Sequence, residues 1–391
     1  MSITRRDLLK YSAAASTASA LFNSSALAAD KPWPHLKQSI VINNLGGIDN
    51  PNSWLEAAAK DQSKDPVRSR LRALDERALK DIHASGTTAV NLTIGYVAGP
   101  MDPFEHSVKE VAHWNQVIKQ YPNDLLKVET VSDILEAKKS NRVGIILGFQ
   151  NAAMMGDNAE RVDIFAGLGV KVIQLTYNVA NQIGSGSMAR DNGGLTPFGY
   201  EVLERLNSSR TLVDLSHSGE KTCLDAIKAS KSPISITHTG CRALSDLPRN
   251  KTDQELKLLA DIGGCVGIYF MPFLKEDSFP NAKDVVRHIE HAINVCGEDH
   301  VGIGTDGGTT RIDNMAAYHT AIDAEIERRQ KAGISAKGEK KGVVPFIPDL
   351  QGPEQFQKLT DMLYSRGHSS ERIEKILGGN FLRLKKEVWG A

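Results

Sequence analysis

Neither sign of charge dominates this chain. Its 47 lysines and arginines are matched by 47 aspartates and glutamates, so composition gives no electrostatic case for a nucleic-acid partner. No internal repeat or low-complexity tract is visible, and a single domain over residues 29–391 is the economical organisation. The four cysteines, Cys223, Cys241, Cys265 and Cys296, show no CxxC spacing. They read as free thiols, two of them inside apolar segments, and no pair is selected for a disulfide. Long apolar runs are missing too. The N-terminal one is short and broken by Ser, Thr and Asn, which excludes a membrane span.

What that N-terminus does contain is an address. Thr4-Arg5-Arg6-Asp7-Leu8-Leu9-Lys10 leads into a weakly apolar Ala/Ser-rich stretch and then Ala26-Leu27-Ala28. Twin arginines, a modest apolar region and a small-x-small cleavage signal read as a Tat signal peptide over residues 1–28. The expected partner is the Tat export machinery, the expected destination the periplasm, with no stable membrane span after cleavage.

From residue 38 the apolar pattern alternates in type. Strand candidates lie at 39–42, 88–94, 143–149, 170–176, 211–215, 234–237, 265–270 and 301–304, with segments of helical period between them. Alternating strands and helices imply parallel crossovers. Eight such units predict an α/β fold of (β/α)8 TIM-barrel type. Two stretches, 51–65 and 314–348, break the rhythm and read as long loops. Two closing helices are expected at 353–364 and 371–384, the second interrupted at Gly378-Gly379.

A barrel of this kind places reactive groups at the carboxyl ends of its strands. His217 and His238 end consecutive strands, 21 residues apart, where two neutral imidazoles can share one divalent ion. Each alone reads equally well as a core histidine; the pair, with an acid at a third strand end, favours a metal or substrate contact. That acid is Asp306, followed by Gly307-Gly308. Its carboxylate can shuttle a proton between water and a leaving amine, although Asp-Gly is also a common turn pair. Arg249, eleven residues after His238, is placed to grip a substrate carboxylate in two-point fashion. His288 and His291 lie on one helical run and read as structural.

The chain resembles the membrane (renal) dipeptidase family of metallopeptidases. The motifs that carry the resemblance are Ser216-His217, Thr237-His238 with Cys241-Arg242-Ala243-Leu244, Pro248-Arg249-Asn250, and Thr252-Asp253. Also matching are Gly194-Leu195-Thr196-Pro197-Phe198-Gly199, His300-Val301-Gly302-Ile303-Gly304-Thr305-Asp306, and Ile376-Leu377-Gly378-Gly379-Asn380-Phe381-Leu382-Arg383. They follow the family's order from about residue 38 to 386. The resemblance implies a barrel that cuts dipeptides or related amides with two zinc ions bridged by a glutamate. It makes His217 and His238 ligands of one metal, Arg249 the carboxylate anchor and Asp306 the acid/base.

The departures fall on the same site. Where the family carries a His-x-Asp pair after the first strand, this chain has Leu45 and Gly47. The bridging glutamate becomes Gln150, a neutral amide left to contact substrate, and a histidine after the next strand becomes Tyr177. The expectation is an exported hydrolase of dipeptides or small amide-like molecules, with at most one zinc ion and the option of none. The competing expectations are a barrel that binds a small carboxylate ligand without hydrolysis, and a metal-free proton-transfer enzyme using Tyr177, His217, His238 and Asp306. A homodimer is compatible with either.

Overall fold

The computed structural model describes residues 32–53, 55 and 74–390. The expected signal peptide at 1–28, and most of the stretch expected as a loop at 51–65, lie outside the described residues. Nine strands form one parallel sheet: β1 (Ile42–Gly46), β2 (Ala89–Ile94), β3 (Leu125–Lys127), β4 (Val143–Phe149), β5 (Val170–Gln174), β6 (Leu212–Asp214), β7 (Ser235–Thr239), β8 (Cys265–Ile268) and β9 (Val301–Ile303). Their order is β1-β2-β4-β5-β6-β7-β8-β9, with β3 paired to the start of β4. The sheet closes where Gly47 N donates to Gly307 O (3.1 Å) and Asp306 N to Leu45 O (2.9 Å). Eight strands therefore make the ring of a (β/α)8 barrel; seven coincide with the apolar runs expected from the sequence, while β1 starts at Ile42, where the run expected at 39–42 ends.

The strands are wanted inside because both of their faces are covered. All seven residues of β4 are buried, as expected for a parallel sheet wrapped by helices. The wrapping elements include α1 (Glu76–Ala84), α2 (Pro103–Gln120), α3 (Val131–Lys139), α4 (Arg161–Gly167), α5 (Pro197–Ser208), α6 (Glu220–Ala229), α7 (Asp253–Asp261) and α8 (Ala282–Cys296). Their starts are written in the sequence. Thr130 with Asp133, and Thr252 with Glu255, form capping boxes, and Pro197 follows the N-cap Thr196. The amino end of the barrel is plugged by α12 (Asn380–Trp389): Phe381, Leu384 and Val388 pack with Ile42, Ala89, Ile146, Val172 and Leu212. The interior is narrow near the site. A Cβ on Gly304 would lie 2.0 Å from the Thr237 carbonyl oxygen, so only glycine allows that approach.

Two expectations need correction. The stretch 314–348 is not a plain loop: it opens with a 17-residue helix, α9 (Met315–Lys331), capped by Asn314. Only Tyr318, Ile322 and Ile326 are buried along it, a stripe too thin to announce a helix. The chain end forms α10 (Gln355–Ser365), α11 (Ser370–Glu374), one π turn at Lys375–Gly379, and α12. The glycine pair thus marks a change of helical pitch.

A buried carboxyl links α2 to the end of β2. Glu110 accepts from Gly95 N at 2.8 Å and lies 3.4 Å from His106. Burial pushes it up from 4.5 to about 7, against the opposing pull of the Gly95 N–H. A raised carboxyl favours the protonated fold, so that contribution is complete below pH 4.5 and lost as pH rises through 7. Glu110→Gln should therefore be nearly neutral at pH 4.5 and stabilise by about 1–3 kcal/mol at pH 8. Chemical denaturation at the two pH values checks this; equal effects at both would contradict it.

Candidate active site

β6 and β7 deliver the two imidazoles side by side. Their ring centroids are 5.0 Å apart and both residues are buried. Each ring is held through Nδ1. His217 Nδ1 lies 2.6 Å from Asn178 Oδ1. The Asn178 amide faces that way because its Nδ2 donates to the Ile334 carbonyl at 2.9 Å, which leaves the oxygen toward the ring. His238 Nδ1 lies 2.9 Å from the Thr237 hydroxyl, which donates its own proton to Asp214 at 2.7 Å. Both rings must then carry hydrogen on Nδ1 and a lone pair on Nε2.

Those two Nε2 atoms are buried and have no hydrogen-bond partner among the described residues. Burial pushes both imidazoles well below the usual histidine range; the Arg249 charge adds to it in each, with His238 and Arg329 acting further on His217. They remain neutral bases at physiological pH, the form that binds metal or accepts a proton.

Arg249 is 1% exposed. Its loop is tied down by the Thr239 hydroxyl on its carbonyl at 2.9 Å, and by Asn250, which bonds the Ser245 and Phe273 carbonyls. One guanidinium nitrogen donates to the carbonyl of Ser216, the residue before His217, and the other terminal nitrogen is buried without a partner among the described residues. The guanidinium lies 5.8 Å from the centre of the Tyr269 ring. A buried cation with an unused donor is costly unless an anion completes it.

Tyr177 stacks on His217, ring centroids 4.2 Å apart. Gln150, after β4, donates to the Thr93 hydroxyl at 2.6 Å and makes no hydrogen bond with either imidazole. Asp306 sits on the seam that closes the barrel, with its backbone in the left-handed region at φ 58°. It acts electrostatically on the Tyr269 phenol, as Arg249 does, with no hydrogen bond to either histidine. Leu45 is buried and Gly47 belongs to the closure. The structure thus gathers His217, His238, Tyr177 and Arg249, and leaves Gln150 and Asp306 on neighbouring strand ends. His288 is structural, bonded to Cys241 N and Leu274 O.

Sequence reasoning passed over Asn178, Thr237 and Asp214, which fix the imidazole tautomers, and Arg329. Asn178 and Thr237 directly neighbour Tyr177 and His238, a usable signal. Arg329 comes from the inserted helix and had none.

The donors can be tested against a two-metal centre. Two orphaned imidazole nitrogens on adjacent strands fit one ion. Leu45, Gly47 and Gln150 offer no charged ligand for a second, and among the described residues no group of three or more His, Cys, Asp or Glu side chains could hold a metal. Among the described residues, a second ion finds no such ligands.

The family model for membrane dipeptidases (peptidase family M19) matches residues 87–335. An amidohydrolase from Pseudomonas aeruginosa superposes with a TM-score of 0.74 at 30% identity, over 91% of this chain and 98% of that one. An uncharacterized protein from the pqqA 5' region of Klebsiella pneumoniae is 28% identical over 302 residues, 74% of this chain and 98% of its own length. The dipeptidase tcpJ of Claviceps purpurea is 25% identical over 277 residues, 70% of this chain and 57% of its own length.

Proposed function

The chain belongs to the membrane dipeptidase family, and on that premise we propose that it is an exported hydrolase of dipeptides or small amide-like substrates with at most one metal ion. The observation that carries this reading is the meeting of two unpartnered imidazole Nε2 atoms with an unpartnered Arg249 nitrogen in one buried site. The arginine supplies a donor for a substrate carboxylate. The imidazoles supply two neutral bases where the scissile group would lie.

His217 and His238 would hold the ion, and when bound a zinc supplies Lewis acidity toward the amide carbonyl. The chain's own residues do the rest. Arg249 anchors the free carboxylate and so sets the register of the peptide. Tyr177 offers a phenol O–H beside His217, at the position where the family's histidine is expected to polarise the scissile group. Asp306 carries the proton between water and the leaving amine. Gln150 gives a neutral amide to the substrate. Twin arginines at Arg5 and Arg6 support export to the periplasm.

One observation favours a second reading. Beside His238, three cations act on His217, those of Arg249, Arg329 and Lys251, and such surroundings suit a bound anion better than a dication. A carboxylate-binding barrel without hydrolysis is that alternative. Assaying protein produced through its own export route against a dipeptide panel separates the two. Turnover that stops with chelator supports hydrolysis by a metal enzyme. No turnover, together with carboxylate binding that survives chelator, supports the alternative.

A further inference from the structure

The inserted helix α9 reaches back to the site through one side chain. Arg329, 152 residues from Tyr177 in sequence, donates from Nη2 to the Tyr177 hydroxyl at 3.2 Å. Its guanidinium lies 5.8 Å from the centre of the same ring. Arg329 is itself clamped by Glu339: Nε donates to Oε2 at 3.0 Å and Nη2 to Oε1 at 2.9 Å. Ser335 donates to that carboxylate as well, at 2.7 Å. The turn that follows α9 supplies the Ile334 carbonyl that orients Asn178, the residue holding His217. One inserted segment therefore touches the supports of both Tyr177 and His217.

The hydrogen-bond roles follow from the groups. A guanidinium only donates, so the phenol oxygen accepts from Arg329. The phenol's own hydrogen then has to point elsewhere, since the hydrogen bond that hydroxyl makes among the described residues is the one it accepts from Arg329. The ring is pinned on one side by the His217 stack and at its tip by Arg329. Loss of the tip contact would let the phenol swing and let its hydrogen turn toward other acceptors.

We propose that Arg329 is a positioning residue of the active site, fixing the Tyr177 hydroxyl so that it donates to the carbonyl oxygen of the bound substrate. This rests on the hydrolase reading above. The arginine does not touch substrate; it acts through the phenol, and Glu339 and Ser335 hold it there. No bond is made or broken by this contact, and the phenol proton stays on oxygen as a donor.

Arg329→Met should lower kcat by about tenfold to a hundredfold on the best member of an Ala-X dipeptide panel, with KM changed by less than about threefold. Arg329→Lys, which still offers an N–H, should recover part of the loss. Tyr177→Phe should lose a similar amount, and the double variant Y177F/R329M no more than Tyr177→Phe alone. Glu339→Gln, milder and kinder to folding, should show a smaller loss in kcat, and it carries the test if Arg329→Met does not fold. Multiplying losses in the double variant, or an effect confined to KM, would overturn the proposal. A second readout needs no turnover: the His217 ring resonance in protein labelled at histidine should move in Arg329→Met, because the stacked Tyr177 ring shifts, and return toward wild type in Arg329→Lys. An unmoved resonance would refute the positioning role. If wild type cleaves no dipeptide, the hydrolase reading falls while this resonance still decides the role of Arg329.

Discussion

Arg249→Leu should lower kcat/KM for a dipeptide by roughly 10²–10³-fold, the cost expected when one member of a buried, hydrogen-bonded charge pair is removed. The loss is large because the other buried cation of the loop, Lys251, is already engaged by the Ser218 carbonyl and Glu255. One nitrogen is spent on the Ser216 carbonyl and the free one is the donor left over for substrate. A lysine has a single charged nitrogen and cannot serve both, so Arg249→Lys should recover only part of the activity. The sharpest check compares a dipeptide with its C-terminal amide. Wild type should prefer the free carboxylate by about the same factor, and Arg249→Leu should treat the two alike. An Arg249→Leu enzyme that still prefers the acid would place the carboxylate elsewhere.

The largest effect is expected at the imidazoles. His217→Ala and His238→Ala should each reduce turnover by about 10³-fold or more, and the double variant should be little worse than either. Such non-additivity is the mark of two groups acting as one unit, and it fits rings whose centroids are 5.0 Å apart with both Nε2 atoms unpartnered. Steady-state rates of the three variants against wild type check this. Two independent losses that multiply would mean that the histidines serve separate steps. His288→Ala, by contrast, removes the bonds to Cys241 N and Leu274 O, so its damage belongs to stability.

The barrel was legible because the strands of its ring are almost wholly buried. A run such as Val143–Phe149 has no solvent face to interrupt it, and its length excludes a helix. β3 was missed because it is only three residues long and ends in Lys127. The helix Met315–Lys331 was missed because it lies on the surface with one thin apolar stripe, while the Lys/Gly-rich stretch after it reads as loop. In the site, the nearness of His217 and His238 could be foreseen, since neighbouring strands of a parallel barrel end side by side. The state of those rings could not. It depends on where the Asn178 amide and the Thr237 hydroxyl point, and on Ile334, brought in from 156 residues beyond Asn178. Long-range polar contacts of that kind leave no period in a sequence.

The central claim is that the barrel mouth keeps a neutral pair of ligands and has lost the acidic ones. Metal content of the mature protein, made through its own export route and measured by elemental analysis against protein concentration, tests it most directly. The expected value is one zinc ion or fewer per chain, falling to none in the His217→Ala/His238→Ala variant. About two ions per chain in wild type would contradict it, because side chains other than Leu45, Gly47 and Gln150 would then have to supply the missing charge.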